Sequence, residues 1–309
     1  MTREEVVLVG VDGSAASLGA LEWAAAFSER TGWRLHIVCA YALPTFAAAS
    51  MDGGYATLDD QAIRDGAQAV LDEATARLEG RGLTVTTALE TGDPAGVLVE
   101  LSKKVCLSVV GTRGQSGFAE RLLGTVSSAL PAHAHSPVVV VPHKEGATLR
   151  LPVQRLVVGV DGSDSAKIAL TRAIEHAELW DAELTAVVGL PIGSGAGMLG
   201  WLPAAVDSEA LLADAKEGLD VAVNQALVGH EGVTVRRHAL DGSGAALLSE
   251  FSTAVDLVVV GTRGRGGFAG MLLGSTSQAV LHHSVCPVLV IPSRLKDEDL
   301  PSLAPWHTE

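Results

Sequence analysis

Two glycine-rich segments of this chain have the composition of a loop that surrounds a phosphate. The first reads Gly-x2-Gly-x9-Gly-Thr from Gly111 to Thr125, and the second reads Gly-x2-Gly-x9-Gly-Ser from Gly261 to Ser275. Glycine lets a backbone N–H approach a phosphate closely and tolerates positive φ. A glycine and a hydroxyl residue at the start of a helix add free N–H groups and the positive end of the helix dipole. We predict phosphate binding at both segments; ordinary turn glycines followed by a helix cap are the alternative.

An aspartate ends an apolar run in each half of the chain. The hexapeptide Val-Gly-Val-Asp-Gly-Ser places Asp12 in the first half and Asp161 in the second. Their carboxylates could accept hydrogen bonds from a ribose hydroxyl or an adenine amine, or help to hold Mg²⁺. Each could also cap the following helix, because aspartate is a good N-cap residue. The two roles do not exclude one another.

Three arginines next to the glycines have two open roles. Arg113, Arg263 and Arg265 either contact phosphates or extend into solvent, and we include Arg113 and Arg263 among the candidate binding residues. A second glycine pattern, GxGxxG at 195–200, follows the second strand and leads to Trp-Leu-Pro rather than to a helix. A dinucleotide fingerprint requires a helix after the glycines, so this pattern favours a loop.

The histidines and cysteines do not favour metal or thiol chemistry. The histidines at 133, 135, 282 and 283 fall near the predicted end of the fourth helix of each half, where histidine is favoured. A metal site would need further ligands. Three cysteines that are far apart predict buried, reduced thiols rather than a disulfide framework. They are Cys39, Cys106 and Cys286.

The elements that position these residues occur twice, at an offset of 149–150 residues. Short apolar runs alternate with helical patterns, which predicts βαβ units and a parallel sheet. The predicted strands are 6–11, 35–40, 83–89, 106–111 and 137–141, and then 155–160, 183–189, 233–240, 256–261 and 287–291. The predicted helices of the first half are 15–30, 59–79, 94–104 and 125–134, with matching helices in the second. Loops follow the second strand of each half, at 42–58 and 190–206.

The repeat predicts two domains, 1–145 and 152–294, followed by a flexible tail at 295–309. In open α/β sheets a ligand binds beyond the carboxyl ends of the strands, where the strand order reverses. The aspartate after strand one and the glycine loop after strand four should therefore meet in each domain.

Composition excludes several classes of protein. The formal net charge of −14 argues against a nucleic-acid partner, because phosphate backbones are bound by clustered Lys and Arg. No apolar run reaches the length of a transmembrane helix, and no signal-peptide pattern precedes the first strand. We expect a cytoplasmic protein with no membrane partner.

These motifs resemble the universal stress proteins, in the tandem two-domain form of actinobacteria such as mycobacteria. The resemblance rests on Val-Asp-Gly-Ser after strand one, the glycine loop after strand four and Pro-Val-hydrophobic-Val at strand five, and it covers 5–142 and 154–292. It implies two Rossmann-like domains of the adenine nucleotide alpha hydrolase-like type, each with a five-stranded parallel sheet between helices. It also implies ATP bound without a Walker loop and assembly through the last strand.

The resemblance also implies which residues contact the nucleotide. The adenine and ribose end falls at Gly10, Asp12 and Ala40, and at Gly159, Asp161 and Gly189 in the second domain. The phosphate end of the first domain comprises Gly111, Gly114, Gly117, Gly124, Thr125 and Val126. In the second domain it comprises Gly261, Gly264, Gly267, Gly274, Ser275 and Thr276.

The two halves depart from one another at two places. Cys106 stands where the second half has Asp256, and the Gly-Asp-Pro-Ala turn at 92–95 becomes Gly-Ser-Gly-Ala at 242–245. Neither change lies in the glycine loop, so we expect two working ATP sites, of unequal affinity. The prediction is a regulator in the stress response with ATP, Mg²⁺ and an unknown protein partner, self-associating as a homodimer. An ATP-dependent transferase or slow ATPase and a nucleotide-free interaction scaffold are the alternatives.

Overall fold

The chain alternates strand and helix throughout both repeats. The computed structural model describes residues 3–42, 60–112, 114, 123–143, 149–192, 207–264, 272–296, 300, 301 and 303. The elements of the first repeat are β1 (Glu4–Gly10), α1 (Ala15–Thr31), β2 (Arg34–Tyr41), α2 (Asp60–Ala76), β3 (Val85–Thr91), α3 (Pro94–Leu101), β4 (Val105–Gly111), α4 (Thr125–His133) and β5 (Val138–Val141). Those of the second are β6 (Arg155–Gly159), α5 (Asp164–Trp180), β7 (Glu183–Leu190), α6 (Ser208–Ala226), β8 (Val235–Asp241), α7 (Gly244–Phe251), β9 (Leu257–Gly261), α8 (Ser275–His283) and β10 (Val288–Ile291).

The predicted element types are confirmed, and every strand bound lies within two residues of its prediction. Helices α2 and α3 each end three residues earlier than predicted, because 77–80 and 102–104 form hydrogen-bonded turns rather than a last α-helical turn. The predicted loops at 42–58 and 190–206, and the GxGxxG segment at 195–200, lie almost entirely outside the described residues.

Ten strands form one sheet in the part of the chain that the structure describes. The order is β3-β2-β1-β4-β5-β10-β9-β6-β7-β8, so each repeat contributes a parallel, doubly wound half. The halves join where β5 pairs with β10 in antiparallel orientation, with Leu289 opposite Val139. The carboxyl ends of the strands in one half therefore lie at the opposite edge of the sheet from those of the other half.

Helices cover both faces of this sheet and enclose two apolar cores. One core packs α1, α2, α5 and α6 on the sheet, and the other packs α3, α4, α7 and α8 on the opposite face. Alternate residues of β1 supply the two cores, as Val7 and Leu8 illustrate. Since both faces are covered, the central strands are nearly continuous in valine and leucine, as expected for buried parallel strands.

Both cores continue across the junction between the repeats. On one face, the Trp23 ring centroid lies 6.4 Å from that of Trp180, and the Phe27 ring centroid lies 5.5 Å from that of His176.

Two residues of the predicted flexible tail are buried, Leu295 at 2% exposure and Leu303 at 9%. The expectation of a loose tail is wrong for these two positions, because their leucine side chains pack into the fold.

Candidate functional site

Each repeat has a cleft at the carboxyl ends of its two central strands. The first lies between β1 and β4 and has a volume of about 370 Å³; the second lies between β6 and β9 and has a volume of about 400 Å³. In each half the strand order reverses at this point, because the central strand pairs with β2 or β7 on one side and with β4 or β9 on the other. The residues that follow strands one and four are therefore brought together, as the topology rule predicts.

An aspartate lies at the mouth of each cleft and is held in place by the turn that follows it. Asp12 Oδ1 accepts hydrogen bonds from the N–H of Ser14 at 3.0 Å and from its hydroxyl at 2.6 Å. Asp161 makes the same two contacts with Ser163 at the same distances. The N-cap residues of α1 and α5 are these serines rather than the aspartates. The capping role considered for the aspartates is therefore wrong.

The second glycine of each loop makes room for this aspartate. A Cβ placed on Gly114 would lie well within van der Waals contact distance of Asp12 Oδ2, and one on Gly264 would clash in the same way with Asp161 Oδ2. The first glycine of each loop packs on the helix that follows the aspartate, α1 or α5: a Cβ on Gly111 would lie 2.5 Å from the carbonyl carbon of Ala16. The two glycines thus bring the loop, the aspartate and the start of α1 into contact.

The ends of each glycine loop are tied together by a threonine carbonyl. Thr112 O accepts the N–H of Gly124 at 2.9 Å and the hydroxyl of Ser127 at 2.7 Å. In the second repeat Thr262 O accepts the corresponding groups of Gly274 at 2.7 Å and Ser277 at 3.2 Å. This closure fixes where the helix after the loop begins.

Helices α4 and α8 differ from α1, α3, α5 and α7 in how their first turns are capped. A serine or aspartate side chain caps α1, α3, α5 and α7. By contrast, α4 and α8 begin at Gly124 and Gly274 and have no side-chain cap. Unsatisfied N–H groups at a helix N-terminus bind anions. The first residues of α4 and α8 line the clefts, so each cleft contains a helix N-terminus without a side-chain cap, which is the arrangement expected of a phosphate site.

The opposite wall of the first cleft is apolar. Gly10, the last residue of β1, allows Leu98 of α3 to pack over it, since a Cβ there would lie 2.8 Å from Leu98 Cδ1. Val38 and Ala40 from the end of β2 complete this wall. A flat aromatic group fits such a wall by burying its faces against apolar side chains.

The second cleft has smaller side chains on the same wall. Gly189 replaces Ala40 and Gly244 replaces Pro94, and all four line their clefts. The change in the 92–95 turn therefore borders the cleft, although it lies outside the glycine loop. A Cβ on Gly189 would lie 2.8 Å from the carbonyl oxygen of Gly242, so glycine is required there by the turn packed above it.

The described candidate residues all line one of the two clefts. In the first these are Gly10, Asp12, Ala40, Gly111, Gly114, Gly124, Thr125 and Val126. In the second they are Gly159, Asp161, Gly189, Gly261, Arg263, Gly264, Gly274, Ser275 and Thr276. Arg113, Gly117, Arg265 and Gly267 lie outside the described residues.

Several lining residues were missed by the sequence analysis. They are the loop-closing Thr112 and Thr262, the serines Ser127 and Ser277, and the leucines Leu98 and Leu248. Each pair is identical in the two repeats, so the repeat itself was the signal that could have identified them. Ser17 lines the first cleft and donates its hydroxyl to Ser14 O at 2.9 Å, but the second repeat has Ala166 at this position, so no such signal existed.

The cysteines lie in the core, away from this chemistry. All three are free and buried, and burial raises the pKa of Cys39 to about 11, of Cys106 to about 11 and of Cys286 to about 12. The burial of three free cysteines agrees with the prediction, and the raised pKa values keep the thiols protonated at neutral pH. Asp256, which stands where the first repeat has Cys106, accepts the N–H groups of Gln154 and Arg155 and so fixes the start of β6 rather than contributing to the cleft.

None of the helices that the structure describes is long and apolar enough to span a membrane.

The fold defines a tandem, doubly wound α/β protein in which each repeat has a cleft at the carboxyl ends of its central strands. The profile of the universal stress protein family matches residues 5–142 and 152–292. A universal stress protein of Mycobacterium tuberculosis (strain H37Rv) is 32% identical over 305 residues, covering 92% of this chain and 94% of that protein. One from Mycolicibacterium smegmatis is 33% identical over 300 residues, covering 93% and 97%.

A solved structure agrees with these sequence relatives. The crystal structure of a universal stress protein from Archaeoglobus fulgidus aligns with a TM-score of 0.68 at 24% identity, covering 94% of this chain and 98% of that one. The chain belongs to the universal stress protein family, in its tandem two-domain form.

Proposed function

We propose that each cleft binds ATP and that the protein is a nucleotide-dependent regulator of the stress response. The observation that carries the proposal is the first turn of α4 and of α8, which opens without a side-chain cap into a cleft with an apolar opposite wall. The N–H groups of that turn would hold the phosphates, and the apolar wall would hold the adenine. The same arrangement occurs in both repeats, which supports two sites per chain.

The side chains around the phosphates have defined roles in this proposal. Thr125 and Ser275 line the clefts, and each would donate its hydroxyl to a phosphate oxygen or coordinate Mg²⁺. In Asp12 and Asp161, Oδ1 accepts a hydrogen bond from a serine hydroxyl, and Oδ2 is the oxygen next to the glycine loop. Magnesium held by one carboxylate together with the phosphates is common in nucleotide sites, and here it would neutralise the phosphate charge.

A regulator is favoured over an efficient enzyme by the charges of the cleft. Fast phosphoryl transfer needs a positioned base or water and strong positive charge at the γ-phosphate. Among its described lining residues, the first cleft has one charged side chain, that of Asp12. The second has Asp161 and Arg263. Any ATP hydrolysis should accordingly be slow, and the ATP-bound state should persist long enough to act as a signal.

We extend the proposal to the organisation of the protein. The two domains comprise 1–145 and 152–294, and the protein acts in the cytoplasm. The ATP-bound form binds a protein partner and assembles as a homodimer. The pairing of β5 with β10 uses the last strands within one chain, so a homodimer would be formed by another surface.

The test begins with the nucleotide that is released when the purified protein is denatured, followed by titration of ATP and Mg²⁺. Gly114→Ala and Gly264→Ala each push an aspartate off its serine, which costs charge-assisted hydrogen bonds and should weaken that site about tenfold or more. Gly66→Ala, an exposed helix position with open space around it, is the matched control. Binding of nearly two ATP per chain, with about one lost per substitution, supports the proposal. If the purified protein releases no nucleotide and does not bind added ATP, the proposal is refuted and the nucleotide-free interaction scaffold is the remaining alternative.

A further inference from the structure

Helix α4 runs from the first cleft towards the edge of the sheet at which the second cleft opens. Because β5 and β10 are antiparallel, the carboxyl edge of the second half is the amino edge of the first. Helix α4 begins at Thr125 in the first cleft and ends at His133, about 13 Å away along its axis. Its C-terminus therefore reaches the edge of the sheet at which β10 ends and the second cleft opens.

An arginine from the second repeat binds the C-terminus of this helix. Arg294 follows β10 by three residues, and its two terminal nitrogens donate to the carbonyls of Ala132 at 2.8 Å and His133 at 2.9 Å. The last carbonyls of a helix have no partner within it, and a cation there complements the helix dipole. One helix thus presents its N-terminus to the first cleft while its C-terminus is held by the other repeat.

The same arginine is linked to the second cleft by hydrogen bonds. The N–H of Ser293, the preceding residue, donates to Thr262 Oγ1 at 2.8 Å. Thr262 is the residue whose carbonyl closes the second glycine loop on Gly274. Arg263 and Arg294 also line one cavity of about 230 Å³, which Ala132 of α4 borders as well. Arg263 lines both this cavity and the second cleft.

We propose that Arg294 is a positioning residue that couples the two sites through α4; this inference rests on the proposed function. Two guanidinium groups lining one cavity repel one another. A phosphate in the second cleft neutralises Arg263, which relieves this repulsion and strengthens the hold of Arg294 on α4. The first turn of α4 is then better fixed for the phosphates of the first cleft. By linkage, ATP in the first cleft favours binding in the second to the same extent.

The first test measures the affinity of the first cleft alone. Gly264→Val disables the second cleft, so titration of ATP and Mg²⁺ into the full chain reports one site. Adding Arg294→Met should weaken that site about two- to fivefold, the size of a helix-dipole contact. Arg294→Lys, which keeps the charge but not the two-pronged contact, should lie in between. Arg236→Met removes a paired surface arginine on β8, far from α4, and should change nothing.

The second test measures coupling without relying on affinity. In Gly114→Val the first cleft is disabled, and ATP should still fill the second. We expect ATP to slow hydrogen exchange of the α4 amides in that protein, and Arg294→Met to abolish this protection without affecting α8. Unchanged affinity in the first test, or equal α4 protection with and without Arg294, would overturn the coupling. Absence of ATP binding by the wild-type chain would instead refute the proposed function.

Discussion

At the scale of single residues, the glycines of the loop serve different purposes. All of them were predicted to admit a phosphate, but the structure separates them. Gly111 lets the end of β4 lie against the backbone of α1, whereas Gly114 makes room for the Asp12 carboxylate. The sequence motif records that a side chain is absent, and only the packing shows which neighbour requires its absence.

This distinction predicts opposite outcomes for two glycine substitutions. Gly111→Ala places a methyl group against the backbone of Ala16, which cannot yield as a side chain can, and should destabilise the fold by about 1–3 kcal/mol. Gly66→Ala, inside exposed α2 with nothing within 4 Å, should stabilise it by about 0.5–1 kcal/mol. Urea unfolding of both variants measures this. Equal stabilities would mean that α1 is not packed on β4 as described.

The loop-closing serine leads to another residue-scale prediction. Ser127 is 1% exposed, and its hydroxyl donates to Thr112 O at 2.7 Å. Ser127→Ala leaves that carbonyl with one donor fewer and should cost about 1 kcal/mol of stability. Because the hydroxyl fixes where α4 begins, ATP affinity at the first cleft should also fall several-fold. Ser128→Ala, on the exposed side of the same turn, is the control, and a similar loss of affinity there would refute the role of the closure.

At the scale of elements, α1 and α5 occupy equivalent places but carry different side chains. Trp23 and Phe27 of α1 correspond to Arg172 and His176 of α5. Arg172 pairs with Glu175 at 2.7 Å and donates to Pro301 O at 3.0 Å, so a polar group is enclosed beside the aromatic cluster. No sequence pattern could predict the hydrogen bond between Arg172 and Pro301, because the two residues lie 129 positions apart in the chain.

The buried histidine predicts sensitivity to acid. Burial, followed by the charge of Arg172, lowers the pKa of His176 from 6.5 to about 3. Between those values the unfolded chain binds the additional proton, so stability falls as the pH decreases below about 6.5. At about pH 5 this amounts to roughly 2 kcal/mol relative to neutral pH.

His176→Phe, which introduces the residue found at the equivalent position of the first repeat, removes this contribution. The loss of unfolding free energy between about pH 7.5 and pH 5 should be roughly 2 kcal/mol smaller than in the wild type. Urea unfolding at both pH values checks it. His36 and His135, whose pKa values are also lowered by burial, are unchanged in both proteins and cancel in the comparison. The same acid loss in both proteins would show that His176 is protonated in the folded state.

At the scale of the whole molecule, the central junction of the sheet is formed within one chain. Strand β5 is buried along its whole length against β10, and the aromatic rings of α1 and α5 meet on one face. Separating the repeats would expose this edge, and an unpaired apolar edge strand recruits another strand. The repeats are therefore halves of one packed body.

The first repeat expressed alone, as 1–145, should form a symmetric dimer in which β5 of one copy replaces β10. Light scattering after size exclusion measures the mass, and Val139→Lys, which places a charge on the pairing strand, should shift the population towards monomer. A folded monomer of 1–145 without that substitution would contradict the prediction.

The local sequence by itself determined most of the secondary structure and the position of the candidate ligand clefts. Strand and helix periods are local properties, and the order of a doubly wound sheet brings the ends of strands one and four together wherever those strands are identified. For that reason Asp12, Gly111, Gly114 and Thr125 could be assigned to one cleft from the sequence alone. The repeat then extended the assignment to the second cleft.

Tertiary structure alone decided how those residues contact one another. The aspartate fits over Gly114, the serine rather than the aspartate caps α1, and Arg294 reaches α4 across 161 residues of sequence. Such contacts depend on the relative placement of elements that are distant in the chain, and no local pattern encodes that placement. The same reason explains why the last strand, predicted to mediate assembly, pairs with its counterpart inside one chain: the antiparallel junction is a property of two folded halves packed together.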